Sequence, residues 1–178
     1  MILPIVLYGD PILETTSAPV NQDLKGDVER LISDMFETMH RASGVGLAAI
    51  QVGVPLRLFV IEAHLPEENF HLRGAFINPK ITREFGDIVK MPEGCLSVPG
   101  LAGNVERHAT IELEYLDEEW NPHTKIFDGY AARVIQHEYD HLDGNIYVDK
   151  LDTMWRLAME RPLEQIKNRQ IETAYPWK

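Results

Sequence analysis

The chain contains very little cysteine: Cys95 is the only one among its 178 residues. One cysteine cannot form an internal disulfide, and it excludes structural zinc sites that need two or more thiolates. A lone cysteine most often packs as a small buried hydrophobic residue. Cys95 therefore has a chemical role only if neighbouring groups require a thiolate.

Basic residues are also scarce. The 17 Lys and Arg residues face 28 Asp and Glu residues, which gives a net charge of -11. Because phosphate contacts require clustered positive charge, we expect no nucleic-acid-binding surface. No apolar run approaches membrane-spanning length, and the N-terminus lacks the charged region and apolar run of a secretion signal. These absences favour a cytoplasmic protein with no membrane partner.

The hydrophobic pattern predicts an α+β fold in one domain, residues 1–178. Apolar residues recur at helical spacing over 27–42, which predicts an amphipathic N-terminal helix. Compact or alternating apolar runs in the middle of the chain predict strands. These are residues 56–61, residues 75–81 with a break at Asn78–Pro79, and residues 111–116. The polar segment 117–123 contains Pro122 and predicts a hairpin or loop.

The C-terminal half of the chain predicts further helices. Residues 131–142 form one, with Asp128 as its cap and Gly144 as its end. Residues 153–175 are helix-forming, but Pro162 is expected to break that helix or start another. We expect mostly antiparallel sheets packed around the central helix 131–142, with one helix N-terminal and one C-terminal to them.

The central helix carries the most informative motif in the chain, QHEYDH. It places His137 and His141 four residues apart, so both imidazoles lie on one helix face and can bind one metal ion. Glu138, next to the first ligand, would lie within proton-transfer range of a water on that ion. The alternative is a surface helix that happens to carry two histidines and two acids.

A catalytic site of this kind needs a third protein ligand. One protease pattern continues H-E-x-x-H-x-x-G-x-x-H, and this chain has Tyr147 where the last histidine would stand. Another protease pattern uses a downstream glutamate, here Glu160 or Glu164, but Pro162 lies between them. Cys95, near the turn-forming residues Pro92, Gly94 and Pro99, is the remaining strong candidate.

Three segments together resemble the signatures of the peptide deformylase family. They occur in the family's order and span about 100 residues. They are residues 44–51 (GVGLAAIQ), residues 93–99 (EGCLSVP) and residues 136–144 (QHEYDHLDG). A single segment would be weak evidence, whereas three in order are highly specific.

The resemblance implies an enzyme that hydrolyses the N-formyl group from the initiator methionine of new polypeptides and releases formate. It implies one divalent metal ion, most often Fe²⁺, with Zn²⁺, Ni²⁺ or Co²⁺ as replacements. Its partners would be N-formylmethionyl nascent chains and the ribosome, and the enzyme would be a monomer. The matching positions divide into metal ligands (Cys95, His137 and His141), a general acid/base (Glu138) and oxyanion donors (the Gln51 side chain and the Leu96 N–H).

The methionine-binding pocket is less specifically marked. Val45 is a candidate for this pocket, whereas Gly44 and Gly46 are expected to let an extended peptide substrate approach the backbone closely. Tyr130 and Arg133 lie about two turns and one turn before His137, so they are candidates for the same pocket. Alternatively, Tyr130 and the Arg133 stem only cover the core.

The chain departs from the family pattern at three places. Ile50 replaces the more frequent Pro or Thr, Gly100 and Ala102 replace charged residues that contact substrate in some members, and 117–121 lacks the usual turn glycine. None of these positions is a predicted ligand or the acid/base.

Three other functions remain open from the sequence. A zinc endopeptidase would use the same His-Glu pair and cleave unformylated peptides. A non-catalytic metal-binding domain would need a fourth protein ligand, and one cysteine makes that difficult. The third possibility keeps the metal but hydrolyses a different amide.

Overall fold

The computed structural model describes residues 1–65 and 70–178. Within them, five strands form an antiparallel sheet in the order β1-β2-β3-β4-β5. The strands are β1 (Gly46–Ala48), β2 (Leu58–Leu65), β3 (Phe70–Cys95), β4 (Val98–Leu116) and β5 (Pro122–Asp128). The α-helices are α1 (Lys25–Arg41), α2 (Gly129–Leu142) and α3 (Thr153–Lys167). The expected mixture of helices and antiparallel strands is confirmed.

The first half of strand β2, residues 58–61, is buried on both faces. Leu58 and Val60 pack into the cluster beneath α1, whereas Phe59 and Ile61 pack into the cluster beneath α2. Because neighbouring side chains on a strand point to opposite faces, a strand covered on both sides is apolar at every position. Burial on both faces explains the continuous apolar run of residues 58–61. It also shows that α1 and α2 pack on opposite faces of this part of the sheet.

Helices α1 and α2 lie close to their expected positions. Helix α1 begins two residues before the expected 27–42 and buries its apolar stripe, including Met35 and Met39. Asp128 is the N-cap residue of α2, but its side chain makes no capping hydrogen bond. Helix α2 contacts β1, β2, β4 and β5, so the QHEYDH motif lies on an element held by four strands.

The break expected at Asn78–Pro79 is present as an irregularity within one strand. Strand β3 continues through this point with a shift of register between Ile77 and Lys80. Asn78 adopts a positive φ of 50° and bonds the backbone of Val20 through its side chain, which holds the irregularity in place. Pro92 and Gly94, expected to form a turn, lie inside β3, and the turn consists of residues 96–97.

The expected effect of Pro162 is also wrong. Helix α3 runs unbroken through Pro162 from Thr153 to Lys167, and the chain then leaves the helix rather than continuing to residue 175. The proline removes one backbone hydrogen bond. Three buried side chains on both sides of it keep the helix packed on the core, namely Met159, Leu163 and Ile166.

The hairpin expected at 117–123 is present. Asp117 accepts the backbone N–H groups of Glu119 and Asn121 on its side chain, and the turn connects β4 to β5. Among the described residues, no helix is long and apolar enough to span a membrane.

Gly144, which follows α2, allows a prediction about stability. Its φ is +75°, and an added Cβ would lie 2.5 Å from the carbonyl oxygen of Glu14. Both the backbone strain and this contact with rigid backbone oppose a side chain, so Gly144→Ala should lower the free energy of unfolding by about 3 kcal/mol. Urea denaturation measures this difference.

Gly74→Ala is the matched control. Gly74 lies in β3, and an added Cβ there has no heavy atom within 4 Å. Its substitution should leave stability unchanged or slightly increased, since alanine loses less conformational entropy than glycine in a strand. Equal stability of the two variants would contradict the steric account of Gly144.

Candidate metal centre

Three potential metal ligands from distant parts of the sequence meet at one point. Helix α2 presents His137 and His141, and β3 ends at Cys95 directly beside them. Their ligand atoms all lie within 4.8 Å of one another, and Cys95 Sγ is 3.3 Å from His141 Nε2. Both histidines are buried and Cys95 is half-buried. The three side chains can therefore surround one ion.

Gln51 lies beside this cluster. It belongs to the short 3-10 turn Ala49–Val52 that follows β1, and its side chain is buried. Its amide oxygen accepts the backbone N–H of Ala48 (2.8 Å), which orients the amide nitrogen toward Cys95 Sγ (3.3 Å) and Ser97 Oγ (3.1 Å). The turn thus presents an N–H donor to the ligand cluster.

A buried carboxylate, Glu93, orients the first histidine. One Glu93 oxygen lies 2.8 Å from His137 Nδ1, which leaves Nε2 as the ring nitrogen that could bind a metal ion. Arg107 binds both Glu93 oxygens (2.6 and 2.9 Å), and Arg133 binds one of them (2.9 Å). Arg107 also pairs with Asp140 at 2.8 Å. Burial alone would raise the pKa of Glu93, but the hydrogen bonds from Arg107 and His137 hold it well below its usual range.

His141 is suited to binding a metal in its neutral form. Its burial and the nearby positive charges of His137 and Arg107 hold its pKa well below the ordinary value. Among the described residues, no group bonds its buried Nδ1 atom. The other ring nitrogen, Nε2, lies 3.3 Å from Cys95 Sγ, so the neutral ring can offer the unshared electron pair of that atom to a metal ion.

Glu138 lies in a buried environment that favours proton exchange near neutral pH. Burial raises its pKa to about 7, although the charge of His137 opposes the shift. The buried Oε2 atom has no hydrogen-bond partner among the described residues. An added Cβ at Gly46 would overlap Oε1. The glycine therefore leaves room for this carboxylate rather than only for a ligand.

The cluster opens into a cleft of about 770 Å³. Cys95, His137, Glu138 and Gln51 all line it. Its walls come from the α2 residues Tyr130, Arg133 and Val134 and from three other stretches of chain, namely residues 42–46, residues 92–102 without Ser97, and residues 171–175. The last stretch was not expected at the site, because the sequence there shows only helix-forming residues and no motif.

The four residues expected to bind substrate all line this cleft. Val45 is 41% exposed, and it precedes Gly46 on one wall. Tyr130 is half-buried and packs edge-on against Phe70. Arg133 is buried, and its guanidinium binds Glu93 and two backbone carbonyl groups. The charge of Arg133 therefore serves the structure, and only the rest of its side chain can form the wall.

The alternative third ligands are not part of the cluster. Tyr147 donates its hydroxyl to the carbonyl oxygen of Leu101 (3.0 Å), and burial raises its pKa, so the hydroxyl stays protonated. Glu160 and Glu164 are exposed on α3 and line a separate surface depression. Because α3 is uninterrupted, Pro162 does not exclude these glutamates as metal ligands. Their position on a separate part of the surface does exclude them.

Sequence comparison gives a consistent family match. A sequence model of the family described as polypeptide deformylase matches residues 2–156. A peptide deformylase of Cytophaga hutchinsonii is 43% identical over 180 residues, covering 100% of this chain and 97% of that protein. One of Chlorobaculum tepidum is 44% identical over 177 residues, covering 99% of this chain and 94% of that protein.

Solved structures are similar in fold as well. A peptide deformylase from Synechococcus elongatus in complex with actinonin has a TM-score of 0.82 and 38% identity, covering 92% of this chain and 85% of that one. Peptide deformylase from Ehrlichia chaffeensis has a TM-score of 0.84 and 34% identity, covering 96% and 100% of the two chains.

The Glu93 network predicts a large loss of stability when its charge is removed. Glu93→Gln keeps the shape of the side chain but leaves the buried guanidinium groups of Arg107 and Arg133 without their shared counter-ion. We expect the free energy of unfolding to fall by about 3–5 kcal/mol. The exposed pair between Glu112 and Arg83 provides the control, since Glu112→Gln should cost at most about 1 kcal/mol.

The same variant should change the pH dependence of stability. A carboxylate with a lowered folded-state pKa stabilises the protein above its unfolded-state pKa of 4.5, and this contribution is lost as the pH falls toward the folded-state pKa. The difference between wild type and Glu93→Gln should therefore be full at pH 6 and shrink below pH 4.5. A difference that is constant with pH would contradict the assigned charge.

Proposed function

The chain belongs to the polypeptide deformylase family and is a hydrolase that removes the N-formyl group from new polypeptides; on this premise, we propose that Cys95, His137 and His141 bind its metal ion. The convergence of these three side chains at the base of a cleft is the observation that carries the proposal. We propose that α2 is the central element of this site. We also propose that residues 1–178 form one catalytic domain.

The residues present fit a divalent ion. A thiolate and two imidazoles form a ligand set of intermediate softness, which suits Fe²⁺ and also Zn²⁺, Co²⁺ and Ni²⁺. Burial lowers the pKa of His137, but its bonds to Cys95 and Glu93 raise that pKa well above the ordinary value, so an ion would displace a proton from this ring on binding. The ligand atoms of the three residues lie within 4.8 Å of one another, and the bond between His137 Nδ1 and Glu93 leaves His137 Nε2 available to an ion. We propose Fe²⁺ as the ion and the other three as replacements. A bound ion of this kind supplies Lewis acidity, which lowers the pKa of a coordinated water and polarises a carbonyl group.

Glu138 is proposed to carry the proton. It would accept the proton that the attacking water loses and then deliver that proton to the departing amine, so that formate and a free N-terminus result. A pKa of about 7 suits both steps, because neither protonation state is strongly favoured near neutral pH. Gly46 supports this role by leaving space for the carboxylate.

Gln51 and Leu96 are proposed to stabilise the charge that develops on the formyl oxygen. The Gln51 amide oxygen accepts the Ala48 N–H and the amide nitrogen donates to Ser97 Oγ, which together hold this nitrogen beside Cys95. Leu96 follows Cys95 directly, so its N–H adjoins the same ligand. One preorganised donor of this kind contributes on the order of 2.7–4 kcal/mol in a transition state.

We propose a binding mode for the substrate from the position of β1 in the sheet. This strand is at the edge of the sheet, pairing with β2 on one side, and Val45 and Gly46 line the cleft. An extended peptide can add to such an edge through main-chain hydrogen bonds, which are independent of sequence. We propose that the formylmethionine side chain enters the space lined by Val45, Tyr130 and Arg133.

The cellular setting is proposed from the substrate. N-terminal formyl groups occur on chains as they emerge from the ribosome, so we propose the cytoplasm as the location and the ribosome as a partner. We propose a monomer because this chain alone supplies the cleft walls, from residues 42–46, 92–102 and 171–175.

An assay that measures two products separates this function from endopeptidase activity. The protein should release formate from formyl-Met-Ala-Ser in the absence of oxygen and leave unformylated Met-Ala-Ser intact. Cleavage of an internal bond in unformylated peptides, or formate release that survives removal of all metal, would contradict the proposal.

A substitution tests the role of Glu138. Glu138→Gln keeps the size of the side chain but cannot accept the water's proton, so kcat should fall by about 10²–10⁴-fold. Metal content, measured on the same sample, should remain that of the wild type. Asp143→Asn is the control, because Asp143 lies after α2 and pairs with Arg57 at the surface. A near-normal rate for Glu138→Gln would exclude it as the proton carrier.

A further inference from the structure

The chain beyond α3 returns to the catalytic cleft. Residues 171–175 form one of its walls. The residues after them pair with the N-terminal segment, where Ile5 and Trp177 form a parallel bridge. The N–H of Ile5 binds the carbonyl of Pro176, and the N–H of Lys178 binds the carbonyl of Ile5, each at 2.9 Å. The C-terminal wall is therefore anchored to a second part of the molecule.

One side chain of this wall reaches the turn that follows the cysteine. Tyr175 is half-buried, and its hydroxyl donates to the carbonyl oxygen of Leu96 at 2.7 Å. Burial raises the pKa of Tyr175 to about 12, so the hydroxyl remains a donor throughout the neutral range. The strand Phe70–Cys95 has ended at this point and β4 begins at Val98. Leu96 thus lies outside the regular hydrogen bonding of the sheet.

Other contacts fix the neighbouring groups of this two-residue turn. The Ser97 hydroxyl accepts a hydrogen bond from the Gln51 amide nitrogen. The backbone carbonyl of Ser97 accepts one from the backbone N–H of Tyr8 at 2.8 Å. The Leu96 side chain lies across the cleft against Gly44, where an added Cβ would be 2.7 Å from Leu96 Cδ1. Among the described residues, Tyr175 is the only side chain found to bond the Leu96 carbonyl.

We propose that Tyr175 is a positioning residue for the deformylation reaction: it holds the Leu96 carbonyl and thereby aims the adjacent Leu96 N–H into the cleft. The inference rests on the proposed role of Leu96 as an oxyanion donor. A donor is effective only when its direction is set before the reaction, because reorientation during the reaction costs free energy. Without the hydroxyl, the peptide units flanking Leu96 can rotate between Cys95 and Ser97.

Tyr175→Phe tests this role by removing one oxygen atom. We expect kcat for formyl-Met-Ala-Ser to fall on the order of tenfold, less than the 10²–10³-fold for outright loss of an oxyanion donor. KM and the inhibition constant of unformylated Met-Ala-Ser should stay within about twofold, since the ground state does not carry the oxyanion charge. Hydrogen exchange at the Leu96 amide should become faster, which is a readout independent of activity.

Tyr115→Phe is the matched control, because its ring packs on Phe76 and His123 away from the cleft. It should leave kcat and exchange at Leu96 unchanged. The melting temperature and the metal content should be the same for Tyr175→Phe, Tyr115→Phe and wild type.

Each other result has a distinct meaning. An unchanged kcat for Tyr175→Phe in an active wild-type background would overturn the positioning role and leave the proposed function intact. A raised KM and inhibition constant at normal kcat would overturn it too, since the residue would then only shape the cleft. A loss of metal in the variant would assign the effect to Cys95 instead. Absence of formate release by the wild type would refute the proposed function itself.

Discussion

The site depends on one buried carboxylate. Glu93 joins β3 to β4 through Arg107 and to α2 through Arg133 and His137. Burying several charges costs free energy unless each finds a partner, and these four groups satisfy one another. The same arrangement sets the tautomer of His137 and holds its helix against the strand that ends at Cys95. The geometry of the ligand cluster is therefore a consequence of this network rather than of the three ligands alone.

The protein leaves other polar atoms at the site unsatisfied. Glu138 Oε2 and His141 Nδ1 are buried without a hydrogen-bond partner among the described residues. Such atoms reduce stability, and here they belong to the proposed proton carrier and to a proposed ligand. Burial is also what raises the pKa of Glu138 to about 7. We infer that stability provided by the Glu93 network and the packed sheet offsets the cost of a reactive interior.

Much of this could be predicted from the sequence, and the exceptions have physical reasons. Residues 131–142 and the QHEYDH motif follow from local spacing, and the EGCLSVP segment from its resemblance to a family pattern. Local propensity failed at Pro162, because tertiary packing outweighed it. At Asn78–Pro79 it indicated the irregularity but not the bonds to Val20 that hold it in place. The pairing of Glu93 with Arg107 and the approach of Tyr175 to Leu96 connect residues 14 and 79 positions apart, and no local pattern encodes them.

The central claim is that Cys95, His137 and His141 together bind one metal ion. X-ray absorption spectroscopy of the zinc-loaded protein tests it directly. The account predicts one sulfur ligand at about 2.3 Å and two imidazole nitrogens at about 2.0–2.1 Å, with the sulfur signal absent in Cys95→Ser. A wild-type spectrum without a sulfur ligand, or one that Cys95→Ser leaves unchanged, would contradict the account.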